Sequence, residues 1–205
     1  MFKKMAADAL GLSDIGKVIH PNDFNQTDSN DFIREGEGEK IYFLIKTKAD
    51  EYCFTNLALI HIDGENAVTS KRTMRRYPYY KFPIDDVSLE TAGRIDLDVE
   101  IIFNIGDEKV TIAIARREVE YAKQIYRALL HISEIIYDNQ IVKGLAEKSL
   151  EHASRVLQYV HLTHNDLLSE YKKVDEYTFD RLREYDQAYR MKDFTDIFEQ
   201  YIYLR

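Results

Sequence analysis

The chain has 205 residues, of which 45% are hydrophobic and 31% charged, and its formal net charge is −8. The length suits one large domain or two small ones, and the apolar share is that of an ordinary globular core. The acidic balance excludes, as default partners, nucleic acid and bulk anionic membranes, which draw proteins through an excess of Lys and Arg.

Residues 1–20 read as an arm, with Phe2, Met5, Ala6, Ala9 and Leu10 on one side of a short amphipathic pattern. They hold no apolar run of signal-peptide length. No stretch of the chain approaches the roughly 18 apolar residues of a membrane span, so a cytoplasmic protein is expected. Residues 21–38 are polar and loop-like. Strand signals then follow one another. Ile41–Ile45 is a buried-strand run, Tyr52–Phe54 and Leu57–Ile62 come next, and Asp63-Gly64 is a turn signal. A strand is expected over about 66–75. Pro78, beside Tyr77, Tyr79 and Tyr80, marks an edge or kink. Further strands are expected at Ile84–Glu90, Ile95–Ile101 and Val110–Ile114. The second of these, Ile95–Ile101, alternates apolar and acidic residues, which places Asp96, Asp98 and Glu100 on a solvent face.

Beyond residue 115 the only Gly is Gly144, there is no Pro, and the period becomes helical. Ala122, Ile125, Leu129, Ile132 and Ile136 define a first helix ending near 137. A second is expected over about 140–173 and a third over about 175–203, joined at Val174-Asp175-Glu176 into an antiparallel hairpin. A helical pair with so broad an apolar stripe must cover it with something, which points to self-association.

The segments Phe54-Thr55-Asn56, Pro78-Tyr79, Glu90-Thr91-Ala92-Gly93 and Asp96-Leu97-Asp98-Val99-Glu100, in that order and spacing, resemble the bacterial pleckstrin-homology domain family. The resemblance covers about residues 20–137. Asn56 is followed by Leu57-Ala58-Leu59, where the family usually carries an Arg-Leu pair, and residues 64–75 lack its usual Gly-Lys-Lys character. Residues 139–205 are similar to the helical extension called the YvbH-like oligomerisation region. The resemblance implies an α+β fold. Its parts are a PH-like seven-stranded antiparallel β-barrel or sandwich over residues 21–138, capped by one helix and followed by an α-helical hairpin. It also implies assembly into oligomers. Fold alone transfers no ligand.

Lys71, Arg72, Arg75 and Arg76 form the strongest positive run, suited to a phosphate or acidic peptide because Arg forks grip such groups at two points. The competing reading is a solvated hairpin whose cations pair with nearby acids. Asp96, Asp98 and Glu100 stand about 7 Å apart along a straight strand, too far to close on one cation, so no metal is expected there. They are candidate oligomer contacts, together with Tyr171, Phe194, Phe198 and Tyr201. His161 and His164 lie one helical turn apart without the further ligands zinc requires. The lone Cys53 sits in a strand as a small buried hydrophobe, and no Gly-rich phosphate loop or serine elbow is present. The sequence therefore reads as a non-enzymatic, self-associating scaffold with no cofactor, no nucleic acid and a protein partner in prospect. The alternative is a peripheral module for anionic or phosphoinositide-like lipid.

Overall fold

The computed structural model describes residues 15–64, 72–91, 98–157 and 167–202. Among the described residues, eight strands form two antiparallel sheets. The first holds β1 (Lys17–Val18), β2 (Ile41–Lys46), β3 (Glu51–Thr55), β4 (Ala58–Asp63) and β5 (Thr73–Pro78), in that order. The second holds β6 (Ile84–Thr91), β7 (Asp98–Ile105) and β8 (Glu108–Ala115). The count exceeds the expected seven because Lys17 and Val18, within the presumed arm, pair with Lys46 and Ile45. Two residues carry too little pattern to be read as a strand. Residues 21–37, expected as loop, instead wind through three short 3₁₀ turns beginning at Pro21, Asp28 and Glu35.

Gly16 joins the sheets. Its N–H donates to Ala113 O at 2.7 Å, and its carbonyl accepts the Ala115 N–H at 3.1 Å. A Cβ there would lie 2.5 Å from Ile45 Cγ2, so only glycine permits the approach. Gly106, at φ +59°, turns β7 into β8. Pro78 ends β5, the outer strand of its sheet, as its missing N–H requires. The interior is filled by Phe54, Leu59, Ile60, Ile101, Phe103, Ile112 and Ile114, all essentially inaccessible. Ala122, Ile125, Leu129 and Ile132 of the following helix are equally buried, as their spacing predicts.

That helix, α1 (Val119–Leu157), runs 39 residues without the expected break near 137. Asp138, Asn139 and Gln140 are polar but compatible with a helix, and Gly144 costs only about 1 kcal/mol in a helix interior. α2 (Leu167–Tyr189) contains Val174-Asp175-Glu176 within a regular helix. The join expected there is therefore not found, and residues 158–166, between the two helices, lie outside the described ones. The chain divides into two compact units: one runs to Ser133 and resumes at Lys192, and the other is Glu134–Met191.

The helix expected to reach 203 stops at Tyr189, and a separate α3 (Thr195–Tyr201) follows. Tertiary contacts set this break. The Phe194 N–H donates to Asn56 O at 2.9 Å, and the Asn56 side-chain amide donates to Asp193 Oδ1 at 3.0 Å. The same carboxylate accepts the Thr195 N–H at 2.8 Å, the kind of local bond by which Asp interrupts a helix. Phe194 and Phe198 are fully buried. Phe198 stacks on Tyr42 at 5.1 Å, and Phe194 meets Tyr79 edge-on at 5.7 Å. Tyr201 shares a hydrogen bond with His131 Nδ1 at 3.2 Å. Phe194 and Phe198 are thus core residues of the first unit, not contacts offered to another copy. In sequence their helical spacing is indistinguishable from that of an interface.

Phe198→Ala should cost the full chain about 3–5 kcal/mol in urea denaturation, the usual cost of emptying a buried aromatic site. Phe179→Ala, on an exposed side chain, should change the stability of the single chain by less than about 0.5 kcal/mol. Burial alone would raise the pKa of Asp193. The hydrogen bonds from Thr195 and Asn56, with the Lys40 charge, hold it below the ordinary carboxylate value. A lowered folded pKa contributes stability above the unfolded value and loses it as pH falls through the folded one. Acid titration of the wild type below about pH 4 should therefore weaken it more steeply than it weakens Asp193→Asn.

Candidate functional site

Each described cation of the basic run has an acid of its own. Arg72 pairs with Asp28, and Arg75 lies 3.4 Å from Glu108, both on exposed surface. Arg76 is held more deeply: its Nη2 donates to Glu39 Oε1 at 2.8 Å. Glu39 is 3% exposed, and three groups converge on it. Thr55 Oγ1 donates to Oε1 at 2.6 Å, beside Arg76, and the Arg34 N–H donates to Oε2 at 2.8 Å. Lys71 lies outside the described residues. A second buried acid, Glu51, takes the Ser29 N–H and hydroxyl at 3.0 and 2.8 Å and pairs with Lys46. Lys46 is one of only two cations on the β2–β3 hairpin, and this contact occupies it.

The acidic face expected on the seventh strand takes a different form. Asp96 is outside the described residues. Asp98 is 3% exposed, next to the equally buried Val99 at the start of β7. It is therefore not a surface contact, because strict alternation does not hold at the strand's entry. Glu100 is half-buried and sits between Glu90 on β6 and Ala113 on β8. His161 and His164 are likewise outside the described residues. Cys53 is buried and free. Burial first, then the charges of Glu39 and Glu51, push its thiol far above the ordinary range, so it remains a thiol rather than a nucleophilic thiolate.

The second unit has the opposite character. Lys143 Nζ in α1 meets Asp186 Oδ1 in α2 at 3.0 Å, yet much of the apolar stripe of both helices faces water. Leu145, Leu168, Tyr171, Tyr177 and Phe179 are 60–66% exposed, and Ile141, Val174 and Leu182 are 40–46% exposed. Tyr171 therefore lies where a partner can reach it. Tyr201 does not stand with it, since it is half-buried against His131 in the first unit.

The profile of the Bacterial PH domain family matches residues 9–133. The chain belongs to the bacterial PH domain family. Residues 144–203 match the YvbH-like oligomerisation region. Across nearly its whole length the chain is similar to the uncharacterized protein YvbH of Bacillus subtilis (strain 168), at 53% identity over 202 residues, covering 98% of this chain and 99% of that protein. It is also similar in structure to a PH domain containing bacterial protein from Exiguobacterium sibiricum. That likeness has a TM-score of 0.85 at 44% identity and covers 92% of this chain and 100% of the other.

Three residues that organise this bacterial PH domain escape a reading of the sequence. Glu39 and Glu51 carry no local sign of burial, because the cation or hydroxyl that justifies burying each is remote: Arg76 is 37 positions from Glu39, and Ser29 is 22 from Glu51. Asn56 reads as a turn residue, and its side chain does bond the Lys40 N–H at 2.8 Å. Its grip on Asp193 spans 137 positions and has no local signal. Glu39→Ala should destabilise the full chain by about 3–5 kcal/mol in chemical denaturation, because it strands the Arg76 charge. Arg75→Ala, which breaks an exposed pair, should stay within about 1 kcal/mol.

Proposed function

We propose that this bacterial PH domain protein is a non-enzymatic scaffold that assembles with copies of itself through a helical hairpin formed by the second half of α1 and α2. The observation that carries the reading is the uncovered apolar stripe of α2, where Leu168, Tyr171, Phe179 and Leu182 are exposed and recur on one side of the helix. An amphipathic helix gains most of its stability by burying its stripe, and an exposed apolar face of this kind marks an interaction surface. A second copy supplies a matching face automatically, as an isologous contact does. The match of residues 144–203 to an oligomerisation region supports the same occupant. The ion pairs of Arg72, Arg75, Arg76 and Lys46 count against the lipid-binding alternative, since an anionic headgroup would have to displace an acid already in place.

Light scattering on the full chain at tens of micromolar should give a mass that is a multiple of 24.1 kDa. The combined substitution Leu168→Glu, Tyr171→Glu and Phe179→Glu should return it to a single chain. Its melting curve at low concentration should be nearly unchanged, because these side chains are exposed in the single chain. A wild type that scatters as one chain at every concentration sinks the reading.

A further inference from the structure

The first unit contains a cavity of about 410 Å³, walled by the segment Val18–Phe24, by β2, by Tyr121 of α1 and by α3. Its volume falls in the range of pockets that hold small molecules. Most of its wall is apolar, with Ile19, Phe24, Ile41 and Ile202 contributing. Among the described lining residues the one carboxylate is Glu199, and none is Lys or Arg. Glu199 Oε1 accepts the Tyr42 hydroxyl at 3.2 Å. Tyr42 is fixed in turn by its stack on the buried Phe198. Burial first, with the nearby charge of Glu199 adding, pushes the Tyr42 phenol up, so it remains a neutral hydroxyl donating to the carboxylate. An anionic ligand would find an apolar wall and a like charge here. A ligand with an apolar body and a cationic head would find an apolar wall, a carboxylate and nearby aromatic rings, which attract cations.

We propose that this cavity is a binding site for a small organic cation, an alkyl- or arylammonium compound, whose ammonium group pairs with Glu199 and whose apolar part lies against Ile19, Ile41 and Ile202. The site is separate from the basic run and does not depend on the self-association proposed above. It carries a coupling of its own. Glu199 and Ile202 belong to α3 or its end, while Ile19 and Ile41 belong to the Val18–Phe24 segment and to β2. A ligand touching both walls stabilises the docked state of α3 by linkage. Lys192, the first residue of the returning segment, follows directly on the Glu134–Met191 unit. Occupancy of the cavity would therefore tighten the anchor at one end of that unit.

The test uses the full chain with phenethylammonium as the probe, titrated by calorimetry, and 3-phenylpropionate as the control of similar size and opposite charge. The expected result is saturable binding of the amine at one site per chain, with the carboxylate at least about fivefold weaker, as a partly screened charge pair dictates. Glu199→Gln should weaken the amine by a similar factor, and Val18→Trp, which fills the cavity from the other wall, should abolish binding. Amide exchange at Phe198 and Ile202 should slow on saturation with the amine. Amine binding that never saturates, equal affinity for amine and carboxylate, or affinity untouched by both substitutions would overturn the proposal. Because Glu199 is exposed, its replacement leaves the fold in place and the comparison interpretable.

Discussion

The return of the chain onto its own β unit is the contact on which the remaining organisation depends. Asn56 receives the incoming backbone at Phe194 and holds Asp193 with its side chain, and Phe194 and Phe198 then enter a core built from Tyr42, Phe43 and Tyr79. Two buried aromatic rings contribute several kcal/mol, a large share of a domain's net stability. Through this contact the Glu134–Met191 unit is tied to the first unit at both of its ends, by the continuous α1 on one side and by the docked α3 on the other. It also builds one wall of the cavity, since Glu199 and Ile202 reach it only when Phe198 is seated.

Charge is organised by two acids rather than by the more numerous surface cations. Glu39 and Glu51 are buried with their hydrogen bonds supplied by backbone, hydroxyl and cationic groups. A buried carboxylate is tolerated only when it is satisfied in this way. Once both are in place, Arg76 and Lys46 are committed to them. Among the described residues, the arginines of the basic run and Lys46 are thus each paired with an acid.

The helices divide their apolar residues between two uses. In the first part of α1, Ala122, Ile125, Leu129 and Ile132 are buried, as are Ile197 and Phe198 of α3. In the Glu134–Met191 unit a comparable stripe stays open to water. The contrast shows that apolar spacing records a need for burial and leaves the covering surface unnamed. The proposed scaffold role takes a second copy as that surface, while the cavity adds a separate, smaller place for recognition, lined by the opposite charge from the one a PH-like fold brings to mind.

Much of this was legible in the residues themselves. Short apolar runs bounded by turn signals located β2, β3, β4, β6 and β8, because β-branched and aromatic side chains favour strands and turn residues end them. Pro78 announced an edge because it lacks an N–H, and the 3.6-residue period of Ala122, Ile125, Leu129 and Ile132 announced the buried helix. Spaced segments such as Phe54-Thr55-Asn56 carried the family. The tertiary structure alone decided the rest. Asp98 is buried where alternation placed it in water. The helix of residues 175–203 breaks at 190 because Asn56, far away in sequence, takes the Phe194 N–H. Phe194 and Phe198 belong to the core while Tyr171 does not, although all three sit at the same kind of helical position. Local sequence fixes the period of an element and the chemistry of its faces. Which distant group meets each face is settled by contacts more than a hundred residues apart, and those leave no local pattern to read.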